Sequence, residues 1–204
     1  MQTLRRIVLV RHGETVGNSS IRFYGSTDVE LSAEGREQAE AVARDLRRQS
    51  FDLVVASPLR RSWQSAWIAA GGQTVRIEPG FREIHFGRFE GLTREEIQAQ
   101  DPISYADWQS GAEGFEFPHG EARDAFAARV AETTQRLLAS PARAALLVIH
   151  KGVIRRIVEQ LTGEPVAPDG PALGECIVLT RRPDGRWFRG STSSDPVGVD
   201  AAAA

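Results

Sequence analysis

The stretch that decides the fold is IVLVRHGET, Ile7 to Thr15. Its four consecutive apolar residues predict a strand buried on both faces, which is typical of a parallel sheet covered by helices. The strand leads directly into Arg11 and His12, and Gly13 follows. A glycine at this place would let the backbone approach a bound group closely. We therefore expect chemistry at the end of a buried strand.

Two later segments repeat the order of apolar strand, polar turn and amphipathic helix. They are FDLVVASPLRRSWQSAWIAA, residues 51–70, and AALLVIHKGVIRRIVEQLTG, residues 144–163. In the segment 51–70, Ser57 and the proline after it predict the start of the helix. Its helical spacing predicts a buried stripe of four residues. These are Trp63, Ala66, Trp67 and Ala70.

The rest of the chain completes an α/β pattern. Ser32 and Thr93 predict helix caps. Residues 101–121 show no clean period, so the stretch of about 93–121 predicts a long, lid-like excursion. The segment CIVLTRRPDGRWFRG, residues 176–190, predicts a hairpin around Pro-Asp-Gly. We expect one domain over residues 1–192 and a disordered tail over 193–204.

Composition excludes several classes of function. The formal net charge of -2 argues against a nucleic-acid-binding surface. The single cysteine, Cys176, suits a reducing compartment. No apolar run approaches the roughly 18 residues of a membrane span. These features favour a cytoplasmic protein that contacts neither membrane nor nucleic acid; they leave the oligomeric state open, and a homodimer is compatible with them.

The three strand ends carry residues that could share one ligand. In open α/β sheets, ligands bind beyond the carboxyl ends of the strands. This rule brings together His12, the helix start near Arg60, and His150. Arg11 and Arg60 would add two guanidiniums, whose planar shape suits bidentate contacts with phosphate oxygens. The predicted ligand is a phosphate group, although Arg60 alone could equally be a solvated helix charge beside the equally basic Arg61.

Six blocks of the sequence, in order, resemble the histidine phosphatase superfamily, which includes the phosphoglycerate mutases. They are LVRHGET with Asn18 soon after, GSTDVELSAEGREQA, ASPLRRSWQSA with its Ser-Pro-Leu-x-Arg helix start, FREIHFGRFEGLT, FPHGEARDAFAARV and LLVIHKGVIR. The resemblance implies a three-layer α/β/α sandwich with a mixed, mostly parallel central sheet. The cytoplasmic-type branch fits, because the aspartate that the phytase-like branch places beside its second histidine is absent.

The resemblance also implies a mechanism. His12 would attack phosphorus and form a phosphohistidine, for which it must be neutral, with its far nitrogen held by a backbone carbonyl. Glu83 would protonate the leaving alcohol and then help to activate water. A protonated His150 and the arginines would stabilise the phosphoryl charge without a metal or another cofactor. The residues expected to bind the phosphate are Arg11, Gly13, Asn18, Arg60, His150 and Lys151.

Lys151 departs from the His-Gly pattern that is usual after the second histidine. It could add charge at the pocket rim or point away. Phe23, Tyr24 and His119 are candidates for the substrate rim, and a solvated loop histidine is the simpler alternative for His119. No histidine pair has the short spacing of metal ligands.

The implied function is hydrolysis of phosphate monoesters of small metabolites. A cofactor-dependent phosphoglycerate mutase is the alternative within the family, although the longer insertions that go with mutases are not seen. A non-catalytic phosphate-binding protein is the alternative from another class. A pure binder needs neither a nucleophile nor an acid, and both are present.

Overall fold

A central sheet of six strands organises the chain in a computed structural model, which describes residues 4–167 and 169–190. The strands lie in the order β3-β2-β4-β1-β5-β6. The first four are parallel, and β5 and β6 are added antiparallel as the predicted hairpin. The predicted tail lies outside the described residues. The strands are β1 (Arg6–Arg11), β2 (Leu53–Ala56), β3 (Val75–Ile77), β4 (Ala144–Ile149), β5 (Cys176–Arg181) and β6 (Trp187–Gly190).

Helices cover both faces of the sheet, as the α/β/α prediction requires. Ile7 and Leu9 of β1 pack into one core cluster, and Val8 and Val10 pack into the other. The first cluster includes α5 and α6, and the second includes α1 and α2. The helices are α1 (Ala33–Leu46), α2 (Arg60–Ala69), α3 (Arg94–Gln100), α4 (Pro102–Ser110), α5 (Arg123–Leu138) and α6 (Lys151–Thr162). Among the described residues, no helix is long and apolar enough to cross a membrane.

The strand register brings the predicted chemistry to one edge of the sheet. Arg11 pairs with Ile149, so the residues that follow β1 and β4 leave the sheet side by side. Ala56, the last residue of β2, pairs with Val148 of β4. The carboxyl ends of three parallel strands therefore meet at a single place.

The buried face of α2 differs from the prediction. Trp63 and Trp67 are 40% and 60% exposed, whereas Ser62 and Ser65 are buried. The Ser62 hydroxyl donates a hydrogen bond to the carbonyl of Val148 at 2.7 Å. Small side chains thus let α2 lie close to β4, where an indole would not fit. The helix begins after Leu59, so Ser57 is not its cap.

The predicted excursion contains a helix, α4, that the sequence did not indicate. The capping box of Thr93 and Glu96 starts α3 as expected, and Asp101 then caps α4. The excursion packs against the loop that carries Phe23 through an aromatic cluster with edge-to-face contacts. The members of this aromatic cluster are Phe23, Phe86, Phe89, Trp108, Phe115 and Phe117.

Candidate active site

His12 lies buried just beyond β1, held in one tautomer by two contacts. Its Nδ1 donates to the carbonyl of Gly13 at 2.8 Å, which confirms the expected backbone acceptor. On the other side of the ring, Nε of Arg61 donates to Nε2 at 3.2 Å. Burial, together with the positive charges of Arg61 and Arg11, holds the pKa of His12 well below 6.5. The imidazole is therefore neutral at pH 7, with its lone pair on Nε2.

Arg61 is the second arginine of the site, and the prediction of Arg60 was wrong. Arg61 is buried, and its guanidinium donates to the carbonyls of Tyr24, Gly25 and Thr27 at 2.7–2.8 Å. Burial lowers its pKa to about 10, so it remains charged at neutral pH.

Arg60 points away from the cleft because successive helical residues face directions about 100° apart. Its side chain is 54% exposed, and its Nε lies 3.6 Å from a carboxylate oxygen of Asp28. The Ser-Pro-Leu-x-Arg spacing contained the right signal, because the arginine in that spacing falls on Arg61.

His150 ends β4 and precedes α6, and it faces His12 with 5.2 Å between the ring centroids. Neither ring nitrogen makes a hydrogen bond within the described part of the chain. Burial, and then the positive charges of Arg61 and Arg11, hold the pKa of His150 well below 6.5. His150 is therefore neutral in the protein by itself, and its protonated form in the phosphate complex stays a prediction. A bound phosphate dianion would act in the opposite direction, by favouring the charged imidazole.

Glu83 is a buried carboxylate held by two backbone amides. It accepts hydrogen bonds from the amides of Gly152 at 2.8 Å and Ile84 at 3.0 Å. Burial raises its pKa, although these amides and the arginines oppose the effect. Gly152 must stay small, because an added Cβ would collide with an oxygen of Glu83 and lie 3.1 Å from its Cδ. The raised pKa suits a general acid.

Arg11 and Lys151 both line the cleft. One guanidinium nitrogen of Arg11 donates to the carbonyl of Pro171 at 3.0 Å. The Lys151 ammonium donates to the carbonyl of Asp169 at 2.8 Å. Lys151 thus lies in the cleft wall with its ammonium bound to a backbone carbonyl, and its contact with a phosphate stays a prediction.

Two residues predicted to contact the phosphate, Asn18 and Gly13, do not line the cleft. Asn18 is exposed with φ 62°, lies outside the cleft wall, and accepts the amides of Ile21 and Arg22 on its carbonyl. An added Cβ at Gly13 would collide with the carbonyl of Gly35 on α1. Gly13 thus allows α1 to pack closely against it. Its carbonyl accepts the hydrogen bond that orients His12.

Two of the three residues predicted at the substrate rim lie at the cleft, and their contact with a substrate stays a prediction. Phe23 and Tyr24 line the cleft. His119 is exposed, with φ 60°, and lies outside the wall. Phe117, two residues earlier, lines the cleft instead. The aromatic residues of FEFPHGE, rather than its histidine, indicated which part of this segment lines the cleft.

The cleft around these groups has a volume of about 550 Å³. This size fits a small metabolite. Its wall includes aromatic side chains and seven arginines and lysines. Within residues 4–167 and 169–190, no three His, Cys, Asp or Glu side chains are grouped as metal ligands.

Comparison with known proteins decides the family. The family model of the histidine phosphatase superfamily (branch 1) matches residues 7–182. The chain belongs to this superfamily. It is 38% identical over 183 residues to the glucosyl-3-phosphoglycerate phosphatase of Mycobacterium tuberculosis, covering 83% of this chain and 80% of the relative. It is 33% identical over 165 residues to the adenosylcobalamin/alpha-ribazole phosphatase of Salmonella typhimurium, covering 79% of this chain and 82% of the relative.

Solved structures agree with the sequence relatives. The alpha-ribazole phosphatase of Shigella flexneri superposes with a TM-score of 0.81 at 27% identity, covering 96% of this chain and 99% of that one. This histidine phosphatase therefore has the phosphoglycerate mutase-like sandwich. It is an enzyme, and its relatives from Mycobacterium tuberculosis and Salmonella typhimurium are phosphatases of small metabolites.

Proposed function

We propose that this histidine phosphatase hydrolyses phosphate monoesters of small metabolites through a phosphohistidine on His12. The observation that carries the proposal is the tautomer of His12. A proton on Nδ1 and a lone pair on Nε2 make a neutral nucleophile, with a charged Arg61 and the Glu83 carboxyl in the same site. A protein that only binds phosphate has no need of this arrangement.

The first chemical step transfers the phosphoryl group to the enzyme. Nε2 of His12 attacks phosphorus, the bond from phosphorus to the ester oxygen breaks, and Glu83 gives its proton to the leaving alcohol. Arg11, Arg61 and His150 stabilise the charge on the phosphoryl oxygens, and Lys151 adds to the positive field.

The second step returns the enzyme to its starting state. The Glu83 carboxylate accepts a proton from water as the water oxygen attacks the phosphohistidine. The bond from Nε2 to phosphorus then breaks, and inorganic phosphate leaves. The names of the relatives suggest two substrates for trial: glucosyl-3-phosphoglycerate and alpha-ribazole phosphate.

A panel of phosphate monoesters, with p-nitrophenyl phosphate included and EDTA present, tests this function. We expect phosphate release that survives EDTA and is lost in His12→Ala. Rapid quenching should place one phosphoryl group on the peptide that contains His12. Release that persists in His12→Ala would contradict the proposal. Conversion of 3-phosphoglycerate only when bisphosphoglycerate is added would indicate a mutase, and binding without turnover would indicate a binding protein.

We also propose a cytoplasmic location and a homodimer. A single cysteine in the whole chain supports the location. Exposed Trp63, Trp67 and Ile77 beside the edge strand β3 support association with a second copy. Light scattering should give twice the chain mass, and Trp67→Lys should give the monomer; a monomeric wild-type protein would contradict the homodimer.

A further inference from the structure

The loop of residues 24–27 determines where the guanidinium of Arg61 lies, and we call it the Arg61 loop. Three of its carbonyls accept N–H groups of Arg61 at 2.7–2.8 Å. The Nε of Arg61 is left to donate to Nε2 of His12 at 3.2 Å. Because the loop accepts three hydrogen bonds from the guanidinium, a change in its backbone would move Arg61 relative to His12.

The amides of the Arg61 loop donate to a single carboxylate, that of Glu90. The N–H groups of Gly25, Ser26 and Thr27 donate to it at 2.9–3.2 Å, and the Thr27 hydroxyl donates at 2.5 Å. The amide of Phe86 adds a fifth hydrogen bond at 2.9 Å. Successive amides that face one anion form an anion-binding nest. The loop is thus bound at its carbonyls by one charged side chain and at its amides by another.

Glu90 is an ionised acceptor in this place. Burial raises its pKa, but the hydrogen bonds from Thr27, Phe86 and Ser26 outweigh burial and hold the pKa below 4.5. At neutral pH both carboxylate oxygens therefore accept hydrogen bonds and neither donates. Glu90 does not line the cleft, so it does not contact a substrate bound there. Its effect on the reaction must pass through the groups that it holds.

We propose that Glu90 is a positioning residue, whose carboxylate holds the Arg61 loop so that the guanidinium of Arg61 stays against His12 during phosphoryl transfer. The inference rests on the proposed function, because it takes Arg61 to stabilise the phosphoryl group that His12 receives. Glu90 lies in the block FREIHFGRFEGLT, seven residues after Glu83. One block of the chain then provides both the general acid and the residue that positions the arginine.

Glu90→Gln tests this role with little change in shape. The substitution replaces one carboxylate oxygen by an NH₂ group, which donates and cannot accept. Oε1 accepts the amides of Ser26 and Phe86, and Oε2 accepts three groups, from Gly25 and Thr27. Either orientation of the new side-chain amide therefore places its NH₂ group against at least two donors. We expect kcat/KM for p-nitrophenyl phosphate to fall by about tenfold or more, because a small displacement of a catalytic group is costly.

Asp52→Asn is the matched control at the opposite edge of the sheet. The Asp52 carboxylate accepts the amides of Ala144 and Arg143 at 2.9 and 2.8 Å, and these hydrogen bonds lower its pKa. Asp52 precedes β2, whose other end leads to the site. We expect Asp52→Asn to lower the free energy of unfolding while kcat/KM stays within about threefold of wild type, since substitutions at separate sites act independently. An equal loss of kcat/KM in the two variants would contradict a positioning role for Glu90.

The Nε–H group of Arg61 gives a readout that does not need turnover. Its signal in heteronuclear NMR spectra is assigned by its loss in Arg61→Gln. In the wild type we expect slow exchange of this proton with water, because the group is buried and donates to His12. In Glu90→Gln the exchange should be faster by about tenfold or more, and in Asp52→Asn it should be unchanged. Unchanged exchange in Glu90→Gln would overturn the proposal, whatever the activity of that variant.

Thr27→Val tests the same contact if Glu90→Gln does not fold. It removes one hydrogen bond to Glu90 from an exposed residue. Both kcat/KM and the exchange of the Arg61 proton should change in the same direction as for Glu90→Gln, by about twofold to fivefold. Exchange at the wild-type rate would refute the proposal. Faster exchange in a protein that hydrolyses no ester would support the positioning of Arg61 and count against the proposed function alone.

Discussion

At the scale of single residues, two adjacent arginines in the sequence have opposite environments. Arg61 is buried and donates a hydrogen bond to His12, and Arg60 is a solvated charge near Asp28. Composition and charge cannot distinguish them, since both are arginines at a helix start. Only the direction of each side chain from the helix axis decides, and the motif spacing encodes that direction.

The pair offers a matched experiment on catalysis. Arg61→Gln should lower kcat/KM by about 100-fold or more, because it removes a buried charge that stabilises the phosphoryl oxygens. Arg60→Gln should stay within about threefold of wild type, since its charge is exposed and screened. Initial rates with p-nitrophenyl phosphate measure both. A larger loss in Arg60→Gln than in Arg61→Gln would contradict the placement of these side chains.

At the scale of elements, the sequence predicted the helices and strands whose apolar residues recur in the pattern of a buried face. The strands of all three strand–turn–helix units are present, and so are α1, with its Ser32 cap, and the final hairpin. The pattern failed for α2, because this helix buries Ser62 and Ser65 for close approach and exposes its indoles.

The pattern also failed for α4, for a different reason. This helix has no fully buried residue, so no apolar stripe marks it. Its ends were nevertheless encoded, by the Asp101 cap with Pro102 at the first position and by Gly111 after the last residue. Local capping chemistry was the better guide in this surface excursion. Its action as a lid stays a prediction.

The start of α6 positions the carboxyl of Glu83. The proposed role of this carboxyl as the general acid can be tested by varying the leaving group of the ester. In Gly152→Ala, the added Cβ would collide with Glu83 and displace its carboxyl. We expect a loss of about 100-fold or more for alkyl phosphates, whose alcohols need a proton to leave, and a much smaller loss for p-nitrophenyl phosphate. Glu83→Gln should give the same signature. Equal losses for both ester types would show that Glu83 is not the general acid.

At the scale of the whole molecule, the cleft is defined by charges that no local pattern could assemble. Arg94, Arg123 and Arg155 are each about 30 residues apart along the chain, and all three line the cleft. The meeting of His12, the start of α2 and His150 could be predicted because all three follow parallel strands, whose carboxyl ends lie at one edge of the sheet. Glu83 was identified only through the family resemblance. The basic wall could not be predicted, since each of its arginines resembles a solvated helix charge in the sequence. The structure thus adds the basic wall of the cleft.

The buried imidazoles of His12 and His150 also couple the reaction centre to global stability. Their pKa values lie well below 6.5 in the folded protein, and an unfolded histidine titrates near 6.5. Below pH 6.5 these two histidines therefore bind protons in the unfolded chain that they do not bind in the folded protein. Because stability rises with pH wherever the unfolded state binds more protons, the free energy of unfolding should fall as the pH drops below 6.5.

Each histidine contributes a slope of up to about 1.4 kcal/mol per pH unit in this window. His150→Gln should therefore lose less stability than wild type between about pH 7.5 and about pH 5.5, as measured by chemical denaturation. Glu83, whose raised pKa gives a slope of opposite sign above 4.5, is present in both proteins and largely cancels in the comparison. Identical slopes in the two proteins would mean that His150 accepts a proton in the folded state as readily as in the unfolded chain. Burial, and then the positive charges of Arg61 and Arg11, would then lower the pKa of His150 less than the structure implies, and His150 itself would carry positive charge toward the reacting phosphate.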